Sequence, residues 1–114
     1  MRCIYAYLKV FSILNDYWCN TKNPDLGSIL SGMNPDPLYD TPYLSADPGA
    51  YADWVSAWNQ RVGRGRDGTN AQILDVAKTL LSYYTDEVGY QIGDAVSCLE
   101  SGLNDSDSKY AAVG

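Results

Sequence analysis

Apolar residues recur at three- and four-residue steps along most of this chain, and where the pattern stops a proline, a glycine or a capping side chain stands. Ile4, Tyr7 or Leu8, Phe11, Leu14 and Trp18 form one such stripe, which predicts a helix over roughly Ile4 to Thr21. By propensity alone Ile4 to Val10 also suits a strand, so a small β element at the N-terminus is the main competing expectation. Asn23-Pro24 then supplies a capping side chain followed by proline at the first helical position, where its missing N–H costs nothing. A short helix from about Pro24 to Ser31 follows, with Leu26, Ile29, Leu30 and Met33 inward and Gly32 as its stop. Prolines 35, 37 and 42 exclude helix or central strand over residues 32 to 46 and predict a proline-rich loop.

Asp47-Pro48 repeats the cap-and-proline grammar and opens a helix over about Pro48 to Arg61. Tyr51, Trp54, Val55 and Trp58 share one side of it, with Asp53 on another. The tryptophans at this spacing are expected in the core. Glycines 63, 65 and 68 interleaved with Arg64 and Arg66 read as a turn, without the strand or lysine of a phosphate-binding loop. Thr69 and Gln72 have the spacing of a capping box, and Ile73, Ala77, Leu80, Leu81 and Tyr84 predict a helix ending near Tyr84 or Thr85. A last helix from about Glu87 to Glu100 would bury Ile92, Ala95, Val96 and Leu99 and stop at Gly102, with Asp86-Glu87 as favourable charges at its start. The expected fold is all-α: a single-domain bundle of four or five helices over residues 1–102, with a proline-rich loop and a polar tail over 103–114. The parallel between Leu14–Leu30 and Leu81–Val96 is what two helices with a short break produce by chance.

Charge adds a constraint of its own. The chain of 114 residues has a net charge of −6, and the 38 residues between Lys22 and Arg61 contain no cation and five aspartates. Net repulsion of phosphates disfavours nucleic acid and anionic membrane as direct partners, and the same sign favours a basic protein. Within the acidic segment, Tyr39 and Tyr43 flank Asp40 in the proline loop and have no periodic reason to be buried. Asp36, Tyr39, Asp40, Tyr43, Asp47 and Asp53 are therefore the candidate partner-binding residues, because short carboxylates and two-torsion aromatics lose little entropy when fixed against a cationic surface.

Catalytic chemistry has no foothold in this pattern. The chain has no histidine and only two glutamates, Glu87 and Glu100, so the common triads and the usual general base are absent, and neither a catalytic residue nor a cofactor is expected. Asp36 and Asp40 as a carboxylate pair or cation site is a weaker alternative. Cys3, Cys19 and Cys98 are odd in number and widely spaced, without a zinc or disulfide pattern; free thiols fit the cytoplasm, with Cys19 and Cys98 expected as small buried hydrophobes. Residues 1 to 19, with Arg2, Lys9 and Asp16, fit neither a signal peptide nor a membrane span.

Asn23-Pro24-Asp25-Leu26-Gly27-Ser28-Ile29-Leu30-Ser31-Gly32-Met33, followed by Ala46-Asp47-Pro48-Gly49-Ala50-Tyr51-Ala52-Asp53-Trp54, resembles a D-D-L-G-S-L-L-S-D-M … A-D-P-A-x-x-E-D-W pattern of small acidic bacterial proteins. These are the immunity proteins of polymorphic toxin and contact-dependent growth inhibition systems. The resemblance spans about residues 10 to 58. It departs from the pattern at Gly32, where an acidic residue is usual, and at Ala52, where glutamate is. It implies a cytoplasmic protein that neutralises a cognate toxin, often a basic nuclease, and it carries over no catalytic residue. A phage-type inhibitor or nucleic-acid mimic acting on a host enzyme, and a small regulatory or assembly subunit, are the alternatives that composition leaves open.

Overall fold

A computed structural model describes residues 1–35 and 45–104, and every regular element in them is helical. Helix α1 (Cys3–Thr21) runs through the segment with strand-like propensity, because two turns of helix bury Ala6, Tyr7, Val10, Ile13 and Leu14 on one side. The buried stripe is rotated from the one expected: Tyr7 and Leu14 are in it, whereas Ile4, Phe11 and Trp18 flank it half-exposed. Lys22 ends the helix in a left-handed conformation (φ 54°), with its N–H on the Trp18 carbonyl and its ammonium 4.0 Å from the centre of the Trp18 ring.

Asn23 caps α2 (Pro24–Met33) as its sequence demands, its Oδ1 accepting from the N–H groups of Asp25 and Leu26. Leu26, Ile29, Leu30 and Met33 are all buried. The helix continues past Gly32 for one residue more, since the Gly32 carbonyl accepts the Asp47 N–H from across the loop and the Tyr7 hydroxyl donates to the Met33 carbonyl. That cross-link, the Ala46 N–H on the Asn34 carbonyl (2.9 Å) and an antiparallel bridge between Pro35 and Ser45 clamp Gly32–Pro35 to Ser45–Asp47. Ser45 is buried in the clamp, donating to the Asp47 carbonyl and accepting from the Tyr51 N–H.

Helix α3 (Pro48–Arg61) and helix α4 (Asn70–Tyr83) form an antiparallel hairpin. Asp47 caps the first, and Thr69 with Gln72 forms the full capping box of the second. Trp54 and Trp58 are both core residues, at 0% and 1% exposure, as their spacing predicts. Trp58 fixes the turn between the two helices: its Nε1 donates to the Arg66 carbonyl, and Gly68 packs so closely that a Cβ there would lie 2.6 Å from the Trp58 ring. Gly68→Ala should therefore destabilise the fold by about 1–3 kcal/mol, the usual cost of overpacking, read from the urea midpoint.

The last stretch differs most from expectation. Instead of a new helix at Glu87, the chain leaves α4 through a π-helical turn, Tyr84–Val88, closed by Gly89 at φ 84° with the Tyr90 N–H on the Tyr84 carbonyl. Gly89 is thus a left-handed cap, a conformation glycine adopts without steric cost, and Asp86 and Glu87 sit at a helix C-terminal end rather than a start. Helix α5 (Gly93–Asn104) begins six residues later than predicted and does not stop at Gly102. Gly102 lies inside it where α5 crosses α1, with Ile13 only 3.0 Å from where a Cβ would stand, and Leu103 beyond it is buried. The N-terminus of α5 is tied to α2, the Gln91 N–H donating to Asp25 and Asn23 to the Gln91 carbonyl. Helix α1 packs against α2, α3 and α5, with α4 bridging α3 and α5. No helix among the described residues is long and apolar enough to cross a membrane.

Candidate functional site: an acidic, tyrosine-rich end

Four of the six candidate binding residues, Asp36, Tyr39, Asp40 and Tyr43, lie outside the described residues. The other two are exposed and share one end of the α3/α4 hairpin. Asp47 is committed in part to structure, since Oδ1 accepts from the Gly49 N–H at 3.0 Å and leaves the second oxygen for other partners. Asp53 makes no capping contact. It lines a cleft of about 280 Å³ between α3 and α4, whose far wall is Thr79, Leu80, Tyr83 and Tyr84.

Tyr84 is the centre of this end. It stacks on Tyr90 (ring centres 5.9 Å, interplanar angle 10°) and meets Tyr83 edge-on at 5.4 Å. Burial, and then the negative charges of Asp53 and Asp47, push the Tyr84 hydroxyl above its ordinary pKa, so both candidate aspartates lie within electrostatic reach of one ring. Tyr83 and Val88 beside it are 59% and 46% exposed, and Asp86 and Glu87 project from the same turn. The macrodipole makes that turn the negative end of α4, where each carboxylate costs about 0.3–1 kcal/mol instead of stabilising. The result is a concentration of negative potential around exposed aromatic surface, with no ion pair to a described lysine or arginine. The ion pairs among the described residues, Arg61–Asp75 and Lys78–Glu100, lie elsewhere.

Sequence reasoning missed Tyr83, Tyr84 and Tyr90 as surface. Tyr84 fell in register with a buried stripe, and only the positive φ of Gly89, which folds Tyr90 back onto it, makes the cluster. The signal available was the Tyr83-Tyr84 pair directly before Asp86-Glu87. The three cysteines are free thiols, and two of them depart from the burial expected: Cys19 is exposed and Cys98 only half-buried, as is Cys3.

Behind the patch, the tyrosines hold their protons tightly. Burial pushes Tyr7 and Tyr51 upward, Tyr51 to about 12, as it does Tyr84. A phenol whose pKa is raised on folding gives stability that is complete below its unfolded value of 10 and is lost as pH rises through the folded value. Thermal stability should therefore fall steeply between pH 10 and about 12, with part of the phenolate absorbance appearing only as the fold is lost. Titration of every tyrosine near pH 10 in an intact fold would contradict this.

Comparison with protein-family models, with curated proteins and with solved structures gave no match to this chain.

Proposed function

We propose that this chain is an immunity protein: it binds and neutralises a cognate toxin, a basic nuclease, by covering the toxin's active site with its acidic, tyrosine-rich end. The observation that supports this reading is the proximity of Asp47 and Asp53 to Tyr84 and its neighbours Tyr83 and Tyr90, with Asp86 and Glu87 exposed in the turn that begins at Tyr84. A nuclease site that holds phosphate presents a cationic concavity, and carboxylates set among rigid aromatics compete for the place of substrate. In this reading the α3/α4 cleft takes an arginine or lysine side chain, with Asp53 as counter-ion and the faces of Tyr83 and Tyr84 as its walls. Pro35 and Ser45 pair close to Asp47 in the chain, so Asp36, Tyr39, Asp40 and Tyr43, which lie between them in sequence, are assigned to the same proposed interface.

The chain acts by occupancy in the cytoplasm, without turnover, metal or cofactor. Inhibition is therefore stoichiometric: titrating the purified chain into the nuclease encoded beside it should abolish activity at one equivalent, with no dependence on incubation time. Inhibition at substoichiometric amounts, or loss of inhibition on chelating metal, would overturn this.

A further inference from the structure

The opposite end of the α3/α4 hairpin has the opposite charge. Both helices are 14 residues long, which sets the two ends about 20 Å apart. From the first turn of α1 a cleft of about 420 Å³ runs along α3, from Tyr51 near the start of that helix to Asn59, and reaches the basic turn after it. Arg2, Arg64 and Arg66 line it, all exposed and none within ion-pair distance of a described carboxylate. Asp67 is the single acid among the lining residues, so the cleft holds two net positive charges in a chain whose total is −6.

We propose that this cleft binds a nucleoside monophosphate. Three arginines lining one space supply guanidiniums for a phosphate dianion, whose charge matches the net charge of the lining; a single carboxylate would leave half of it uncompensated. The floor selects for more than an ion. Ile4, Tyr51 and Val55 among the lining residues offer apolar surface for a flat base, and Asn59, which lines the same cleft, carries both a donor and an acceptor for a base edge. The volume suits one small ligand, and the acidity of the rest of the chain repels a longer polynucleotide.

The arginines are held rather than tethered. Gly63 and Gly65 take positive φ (121° and 72°), the Arg66 N–H closes a turn on the Gly63 carbonyl, and the Arg66 carbonyl is fixed by the buried Trp58 indole. Met1 and Gly68 exchange backbone hydrogen bonds in both directions, which ties the first turn of α1, and Arg2 with it, to the same turn. Binding thus needs little reorganisation of the backbone.

The test is an amide-resolved NMR titration of the full chain with each of the four ribonucleoside 5′-monophosphates, with adenosine, and with inorganic phosphate. At least one monophosphate should give saturable shifts at Arg2, Ile4, Asn59 and Arg64 to Asp67, with adenosine and phosphate at least tenfold weaker. R64A with R66A, which alters only exposed side chains, should lose at least tenfold in affinity while the remaining amide spectrum stays in place. Four monophosphates without saturable shifts at these residues, phosphate binding as tightly as the nucleotides, or undiminished binding by the double variant would each overturn the proposal. None of these outcomes depends on the identity of the protein partner bound at the acidic end.

Discussion

Trp54→Ala is expected to remove about 3–5 kcal/mol of stability, the range for emptying a buried tryptophan site. That is a large share of the 5–15 kcal/mol typical of a whole domain. Trp54 is fully buried at the meeting of α1 and α3, edge-on to Tyr7 at 5.9 Å and beside Trp58 at 6.1 Å, and its Nε1 donates to the Cys3 carbonyl at 3.1 Å. Truncation therefore opens a cavity, cuts two aromatic contacts and loosens the first turn of α1 at once. Trp54→Phe keeps most of the ring and loses the hydrogen bond, worth about 1 kcal/mol, along with part of the volume, so it should fall well between wild type and alanine. Urea unfolding followed by circular dichroism measures both. An alanine variant within 1 kcal/mol of wild type would mean that this cluster is not the centre of the core.

Asp53→Lys combined with Tyr83→Ala should weaken binding to the proposed toxin partner by a few kcal/mol while leaving stability nearly unchanged. Both residues are exposed, and surface changes away from caps and core stay within about 0.5 kcal/mol. At a desolvated contact, truncating an aromatic anchor costs 2 kcal/mol or more, and removing one partner of a buried charge pair costs about 2–5 kcal/mol. If the pair sits at the rim instead, the loss is about 1 kcal/mol or less and disappears as salt rises. Calorimetry across ionic strength separates the two cases. Asp36→Lys with Asp40→Lys is the companion variant for the proline segment, and Asp47 is left intact in both because its cap supports α3. Unchanged affinity for both variants at low salt would remove this end from the interface.

The caps were the most legible part of the sequence. Asn23-Pro24, Asp47-Pro48 and Thr69 with Gln72 each name a helix start through a side chain that satisfies backbone donors locally, and all three starts stand where they were expected. Stops were harder. A glycine can end a helix or admit a neighbour, and sequence does not distinguish Gly89, which takes the left-handed cap, from Gly102, which lies inside α5 against Ile13. Periodicity located α1 but misjudged its rotation, because its neighbours are long-range and choose among several near-equivalent apolar stripes. The candidate site was legible in kind, as carboxylates among aromatics, at Asp47 and Asp53. Its tyrosine centre was not, because Tyr84 and Tyr90 are brought together by a π-helical turn that no local pattern announces.

As proposed, the acidic end holds a basic toxin in a stoichiometric complex. Its most direct measurement is co-expression of this chain with the product of the adjacent gene, purification through a tag on this chain, and assay of the retained protein before and after denaturing separation. A basic nuclease should copurify, inactive in the complex and active once this chain is stripped away and the nuclease is refolded. Recovery of this chain alone, or of a complex whose nuclease activity is the same before and after separation, would contradict it.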